Sequence, residues 1–523
     1  MPFDLGKFTA LYDQFLQIDF TGTERRLRPP LANARDVRAA TAKGAPHLPR
    51  LYQQNFHQPM DGQLAGLLEA LKQDVKKGDK TKGEAVARLE SFYAPIYQHA
   101  TDVTSVKAGP QLRRFLAVVS NLFRSFADHD KRASAGVNLV TSTPPLAFFQ
   151  SDSGDGPSGQ GPYTIESDLM HQHFGIEIGI VSLPATYRDH PVIWSVLSHE
   201  VCGHDVVHAD PGLLKEMTVA AQTMLAPDFA PRKHLDHATL NALIWSYWMD
   251  EAAADVYGVL NMGPAFAPSL AAFLAAFRAR VEMAVHGAKR PARPLVSTGA
   301  LQRDAEGGDH IMEDHPIDLL RIYLVLGAIE SLTKLDKARR DAYVAAVEEI
   351  ARLVAGDATS VHLEGIVNLG PGTRVPVKQD MPIEVAADAA RKVGRMIATQ
   401  KFKALNHHSI QDIETWDDAD EAAAGAIAAL IAKNQPIVAH GDDAQLLAGT
   451  TLALLQQAEL YDKAQALLNS ALDDSFRTDP IWRGISADHA FPPRVFRKPK
   501  VAGKAAARSK GAAAKSSKKK GKR

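Results

Sequence analysis

The chain has 523 residues, 45% hydrophobic and 23% charged, with 60 basic and 60 acidic side chains. That composition excludes collagen-like and low-complexity classes and fits a globular protein of two or three domains. The single cysteine, Cys202, excludes an intramolecular disulfide framework. No apolar run reads as long enough to span a bilayer, and Met1–Lys7 lacks a secretory signal pattern, so no membrane association is expected and the cytoplasm is the expected compartment.

Residues 1–150 read as a helical N-terminal region. Helical periodicity runs through Asp61–Leu71 and Lys82–Tyr97, and Leu112–Ala127 is strongly amphipathic. Residues 151–163 are a Gly, Ser, Asp and Pro loop. Phe174–Leu183, short, branched and bounded by Pro184, reads as a strand, with His171 and His173 alternating at its entrance. Such a strand is either a sheet edge that receives an extended peptide or an ordinary buried strand.

Next comes Ser198-His199-Glu200-Val201-Cys202-Gly203-His204, preceded by the helix start and apolar face of Pro191–Leu197. Two imidazoles bracketing a carboxylate are the material of a hydrolytic metal site, but the common zinc signature spaces its histidines four apart, and here they are five apart. Residues five apart on a regular helix point about 140° away from each other. A single-turn π-bulge would return both rings to one face, with Gly203 the residue best able to tolerate it. His204 and His208 form a competing pair at the regular spacing, with Asp205 as its base. Cys202 reads as a small buried hydrophobe.

After a helix over Lys215–Leu225 comes Asp250-Glu251-Ala252-Ala253-Ala254-Asp255, flanked by Trp245, Tyr247, Trp248 and Val256. Glu251 and Asp255 share a helix face. A catalytic zinc keeps three protein ligands, and two histidines with one glutamate form a standard set. His199, His204 and Glu251 are therefore the expected Zn2+ ligands, Glu200 the general base, and Asp255 the carboxylate orienting a ligand histidine. Further on, His315 precedes a Pro-started helix and is the first candidate for an oxyanion donor, with His310, Arg321 and Tyr323 behind it.

These two acidic and histidine segments resemble the zinc signature of dipeptidyl peptidase III, His-Glu-x-x-Gly-His followed by an acidic-Glu-x-x-Ala-acidic segment. The resemblance implies His199, His204 and Glu251 as ligands, Glu200 as base, and a functional histidine near His315. Ala253 stands where that family has a basic residue. It also implies a zincin-like catalytic domain over 151–330.

Residues 331–490 read as a mainly helical C-terminal region. Two strands, Val361–Leu369 and Thr373–Val377, are joined by Gly370-Pro371-Gly372, and Gln445–Gln457 with Leu460–Leu472 forms a helical hairpin. Residues 491–523 hold 13 Lys and Arg and no acid, leaving 47 basic and 60 acidic residues before them. That tail is expected to be disordered, and either contacts nucleic-acid phosphates weakly and non-specifically or folds back on the acidic body. The expected fold class is mostly α (α+β), a small sheet at the site flanked by helical regions. The expected function is zinc-dependent hydrolysis of a peptide or protein substrate. The alternatives are a degenerate or non-peptidase metal-binding protein, and a nucleic-acid-associated protein acting through its tail.

Overall fold

The computed structural model describes residues 5–18, 48–63, 65–66, 108–140, 143–150, 161–229, 235–286, 296–298, 311–369, 374–438 and 442–482. The expected helix over 82–97, His310, the turn at 370–372 and the tail at 491–523 lie outside these residues. So do most of the 61–71 helix and of the 151–163 loop.

Amphipathic sequence dictates most of what is seen. Among the described residues the chain is mostly α with two small sheets. In the first half, α1 is Leu5–Phe15, α2 Ala108–Ala127, α3 His129–Ala135, α4 Ser167–Phe174, α5 Leu213–Leu225 and α6 His237–Tyr247. Then come α7 Met249–Met262, α8 Phe266–His286, α9 Asp318–Glu330 and α10 Lys337–Ala355. The last are α11 Ile383–Thr399, α12 Asp418–Ala432, α13 Asp443–Gln456 and α14 Tyr461–Thr478. Local chemistry fixes the ends. The Asp128 side chain accepts from the backbone N–H groups of Asp130 and Lys131 at the start of α3, and Asp236 accepts from that of Thr239 in α6. Gly175, at φ 68°, closes α4 in the left-handed conformation.

That closure corrects the reading of Phe174–Leu183. His171 and His173 lie on α4, not on a strand, and His171 is exposed beside Glu177. The strand itself, β3, is Ile178–Leu183. It is the middle of a three-stranded sheet, between β1 (Thr143–Phe149), which runs parallel to it, and β2 (Tyr163–Ile165), which runs antiparallel. The sheet edge on the β2 side therefore belongs to β2, whose Thr164 sits opposite Val181. A second sheet is the hairpin of β4 (Ser360–Asn368) and β5 (Arg374–Pro382), with Gly365 opposite Val377.

One hydrophobic cluster runs through the described residues from Phe8 to Trp482. Tyr52 stacks on Trp482 at 5.2 Å, and Arg114 and Arg124 of α2 pair with Asp473 and Asp479 at 2.7 Å each. Helices α9 and α11 cross at backbone contact. A Cβ on Gly327 would come within 2.1 Å of the Arg391 carbonyl oxygen, and one on Gly394 within 2.0 Å of that of Leu324. The stretch Met249–Arg278 is long and apolar enough to cross a membrane by length and composition, contrary to the sequence expectation. Its most apolar window is 94% buried inside the protein, where it forms α7 and most of α8.

Candidate metal centre

The motif segment folds as a π-helix over Ser198–Asp205, entered through a 3-10 turn at Pro191–Ser195. A π-turn closes its hydrogen bond from residue i to i+5, so residues five apart come back to one face. The widening spans eight residues, not a single bulged turn. Its effect on the histidines is direct: the His199 and His204 rings stand edge to face, centroids 4.8 Å apart, with their Nε2 atoms 3.2 Å apart.

Gly203 is needed for a different reason than the backbone tolerance expected of it. It is not among the glycines with positive φ. A Cβ there would lie 2.2 Å from Ala254 Cα and 2.3 Å from Ala254 Cβ. The glycine lets the π-helix lie against α7, and that contact carries Glu251 to the histidines.

Glu251 Oε2 is 3.2 Å from His199 Nε2, and Glu251 Oε1 is 3.5 Å from His204 Nε2. Ligand atoms about 2.0–2.1 Å from a tetrahedral zinc stand about 3.3 Å from one another, and each histidine lies near that separation from one of the two carboxylate oxygens. The buried atoms Glu251 Oε2 and His204 Nδ1 have no aligned hydrogen-bond partner. Two imidazole nitrogens and a carboxylate brought this close in a buried site are a costly arrangement unless something positive sits between them. His199, His204 and Glu251 form a buried group that could hold a metal ion.

Charge compensation follows the same geometry. Burial would raise the Glu251 pKa, but His315, His204 and His199 hold it well below the usual carboxylate range. Burial disfavours a cationic His199, yet hydrogen bonds to Asp255 and Glu251 outweigh it and raise its pKa. For His204, burial is likewise outweighed, by Glu251 and Asp250, and its pKa lies well above the ordinary value. The site thus favours positive charge, and a proton and a metal ion would compete for it.

Around the three lie further polar groups. Asp255, fully buried, meets His199 Nδ1 at 2.9 Å. Arg321 donates to Asp255 through Nε at 2.7 Å and Nη2 at 2.8 Å. Two of its three guanidinium nitrogens are engaged by that carboxylate, behind His199. Glu200 is buried, and its Oε2 accepts the Thr164 hydroxyl at 2.8 Å. The same hydroxyl lies 3.0 Å from the Glu200 carbonyl oxygen, tying strand β2 to the π-helix.

His208 does not join His204 in a second pair of ligands. Its Nδ1 faces Asp168 at 3.1 Å and its Nε2 faces Asp250 at 3.1 Å. Burial works against its charge, but those two carboxylates push its pKa up to about 10. Asp250 also lies 3.4 Å from His204 Nδ1, outside hydrogen-bond alignment. Glu166 joins His204 and Asp250 in a second group of close donor atoms, in which the His208 ring already engages Asp250. The Cys202 thiol donates to the Leu122 carbonyl and accepts from Asn261, and burial raises its pKa well above the usual thiol value, so it stays a small buried group.

His315 reaches the site from another direction. Its Nε2 is 3.3 Å from Glu251 Oε1 and its side chain is half exposed. The segment before α9 is strapped to the α6–α7 corner: Trp248 donates to the Glu313 carbonyl at 2.9 Å and Tyr247 to that of Met312 at 2.7 Å. Tyr323 lies elsewhere, among Glu348, Arg352 and Arg391. Sequence reasoning missed Thr164 and Asp168 entirely; neither sits in a periodic pattern or beside another recognised group. No family model matches the chain, and neither does any curated protein or solved structure.

Proposed function

We propose that the protein is a zinc-dependent hydrolase of peptide bonds. The observation that carries this reading is the convergence of His199 Nε2, His204 Nε2 and the Glu251 carboxylate in one buried group, with Glu200 next to the first histidine in sequence. A donor set of two nitrogens and one carboxylate suits zinc and leaves a coordination position open. The bound ion would supply Lewis acidity, polarising the substrate carbonyl and acidifying the attacking water.

The chain's own residues divide the remaining work. Glu200 takes the proton of the attacking water and returns it to the leaving nitrogen. Thr164 donates to Glu200 Oε2 and holds that oxygen in place. His315 lies within reach of Glu251 and donates to the oxyanion that develops at the substrate carbonyl. Asp255 accepts from His199 Nδ1, holding the tautomer in which Nε2 offers its lone pair.

Strand β2 supports a peptide as the substrate. It is the end strand of the sheet order β1-β3-β2. An extended peptide could add there through main-chain hydrogen bonds, next to the Thr164 that holds Glu200. The likeness of both motif segments to dipeptidyl peptidase III agrees with a zincin-like arrangement.

The test is metal analysis combined with a peptide-library digest. Wild-type protein is expected to carry about one zinc per chain, lost in His199→Ala and Glu251→Ala. Glu200→Gln is expected to keep the zinc and lose cleavage. A zinc-loaded wild type that cleaves no more of the library than Glu200→Gln would overturn the peptidase reading.

A further inference from the structure

We infer that Arg321 is a positioning residue for the metal centre, acting on His199 through Asp255. The inference rests on the metal reading above and adds a chain of two residues, Asp255 and Arg321, behind the ligand His199. Arg321 is 5% exposed and Asp255 is 0% exposed, so neither charge has water to compensate it. Two separate donor atoms of the guanidinium grip the two carboxylate oxygens, Nε on Oδ2 at 2.7 Å and Nη2 on Oδ1 at 2.8 Å. That two-point contact fixes the plane of the carboxylate, which a single ammonium could not do.

The oxygen Oδ1 is shared. It accepts from Arg321 Nη2 and also faces His199 Nδ1 at 2.9 Å. Arg321 Nη2 itself stands 3.3 Å from that ring nitrogen. The position of Oδ1 therefore sets the orientation of the imidazole, and the orientation of the imidazole aims Nε2 at Glu251. Arg321 also neutralises Asp255, so the carboxylate can hold the ring by one hydrogen bond without leaving an uncompensated negative charge behind the metal.

The fold places Arg321 firmly. It lies in the first turn and a half of α9, whose start is pinned where Arg278 Nε donates to Asp318 at 2.8 Å. Farther along, α9 lies in backbone contact with α11 at Gly327 and Gly394. The same stretch of chain delivers His315 to Glu251, so one segment addresses two ligands.

The experiment uses the full chain stripped by a chelator and reloaded with Co2+, whose visible absorption reports ligand geometry, alongside zinc affinity by chelator competition. Arg321→Met is expected to weaken zinc binding about 10- to 100-fold and to alter the cobalt spectrum. Arg321→Lys is expected to recover part of both, because it restores charge without the two-point grip. In an Asp255→Asn background, Arg321→Met should add less than about threefold, since both act through one route. The double variant leaves no lone buried charge, so where Arg321→Met alone does not fold, it is compared directly with Asp255→Asn. A folded Arg321→Met with wild-type spectrum and affinity, or fully additive losses in the double variant, overturns the inference alone. Wild-type protein that takes up no cobalt overturns the metal reading itself.

Discussion

Gly203→Ala is the sharpest probe of how the site is assembled. The new methyl would sit 2.2 Å from Ala254 Cα and 2.3 Å from Ala254 Cβ. Carbon atoms in contact prefer about 3.5–4.0 Å, so the π-helix and α7 would have to part by about 1.3 Å or more. Both histidines ride on the first element and Glu251 on the second, so the separation opens across the triad. Metal bonds tolerate about 0.2 Å, several times less than the shift required. The expected result is a loss of at least about 100-fold in zinc affinity, or on the order of 3 kcal/mol. Overpacking adds about 1–3 kcal/mol of lost stability. Chelator competition measures the first, and urea denaturation of the metal-free protein the second. Ala254→Gly should not rescue the variant, because the nearest clash is with Ala254 Cα, which glycine keeps. Wild-type zinc affinity in Gly203→Ala, or full rescue by Ala254→Gly, would refute the packing argument.

Two further outcomes follow from the neighbouring groups. His208 has a folded-state pKa of about 10 against an ordinary 6.5, because Asp168 and Asp250 overcome its burial. A raised pKa contributes stability in full below about 6.5 and loses it as pH rises through about 10. His208→Gln should therefore cost about 2 kcal/mol near pH 6, with the gap to wild type closing towards pH 10; a gap that stays constant with pH would show the ring acting by packing alone. Thr164→Val removes the donor to Glu200 and nearly preserves shape, so kcat on a cleaved peptide should fall about 10- to 100-fold with zinc content unchanged; kcat within twofold of wild type would remove Thr164 from the machinery.

What the sequence revealed and what it hid have physical causes. The five-residue spacing of His199 and His204 required a helix wider than α, and a π-helix is found there. Strand β1 went unread because Pro144 and Pro145 argue against a strand. The structure tolerates them where the pairing with β3 slips, between Thr143 and Leu146. Strand β2 is three residues long, too short for alternation to show. The end of α4 was hidden because Phe174 reads as strand until Gly175 is known to take a left-handed conformation. The Arg321–Asp255 clamp joins residues 66 apart, a distance over which no local period carries information. Sequence placed Arg321 close to the site but with the wrong partner in view.

The meeting of the π-helix and α7 has a thermodynamic consequence. An ion held by His199, His204 and Glu251 ties together two segments that the unfolded chain leaves apart. It would therefore favour the folded state by mass action, by about 2.7 kcal/mol when free ion is one hundred times its dissociation constant. The melting temperature then becomes a titration curve for the ion. Occupancy can be read, and metals ranked against one another, by heating the protein in a series of buffered metal solutions before any substrate has been found.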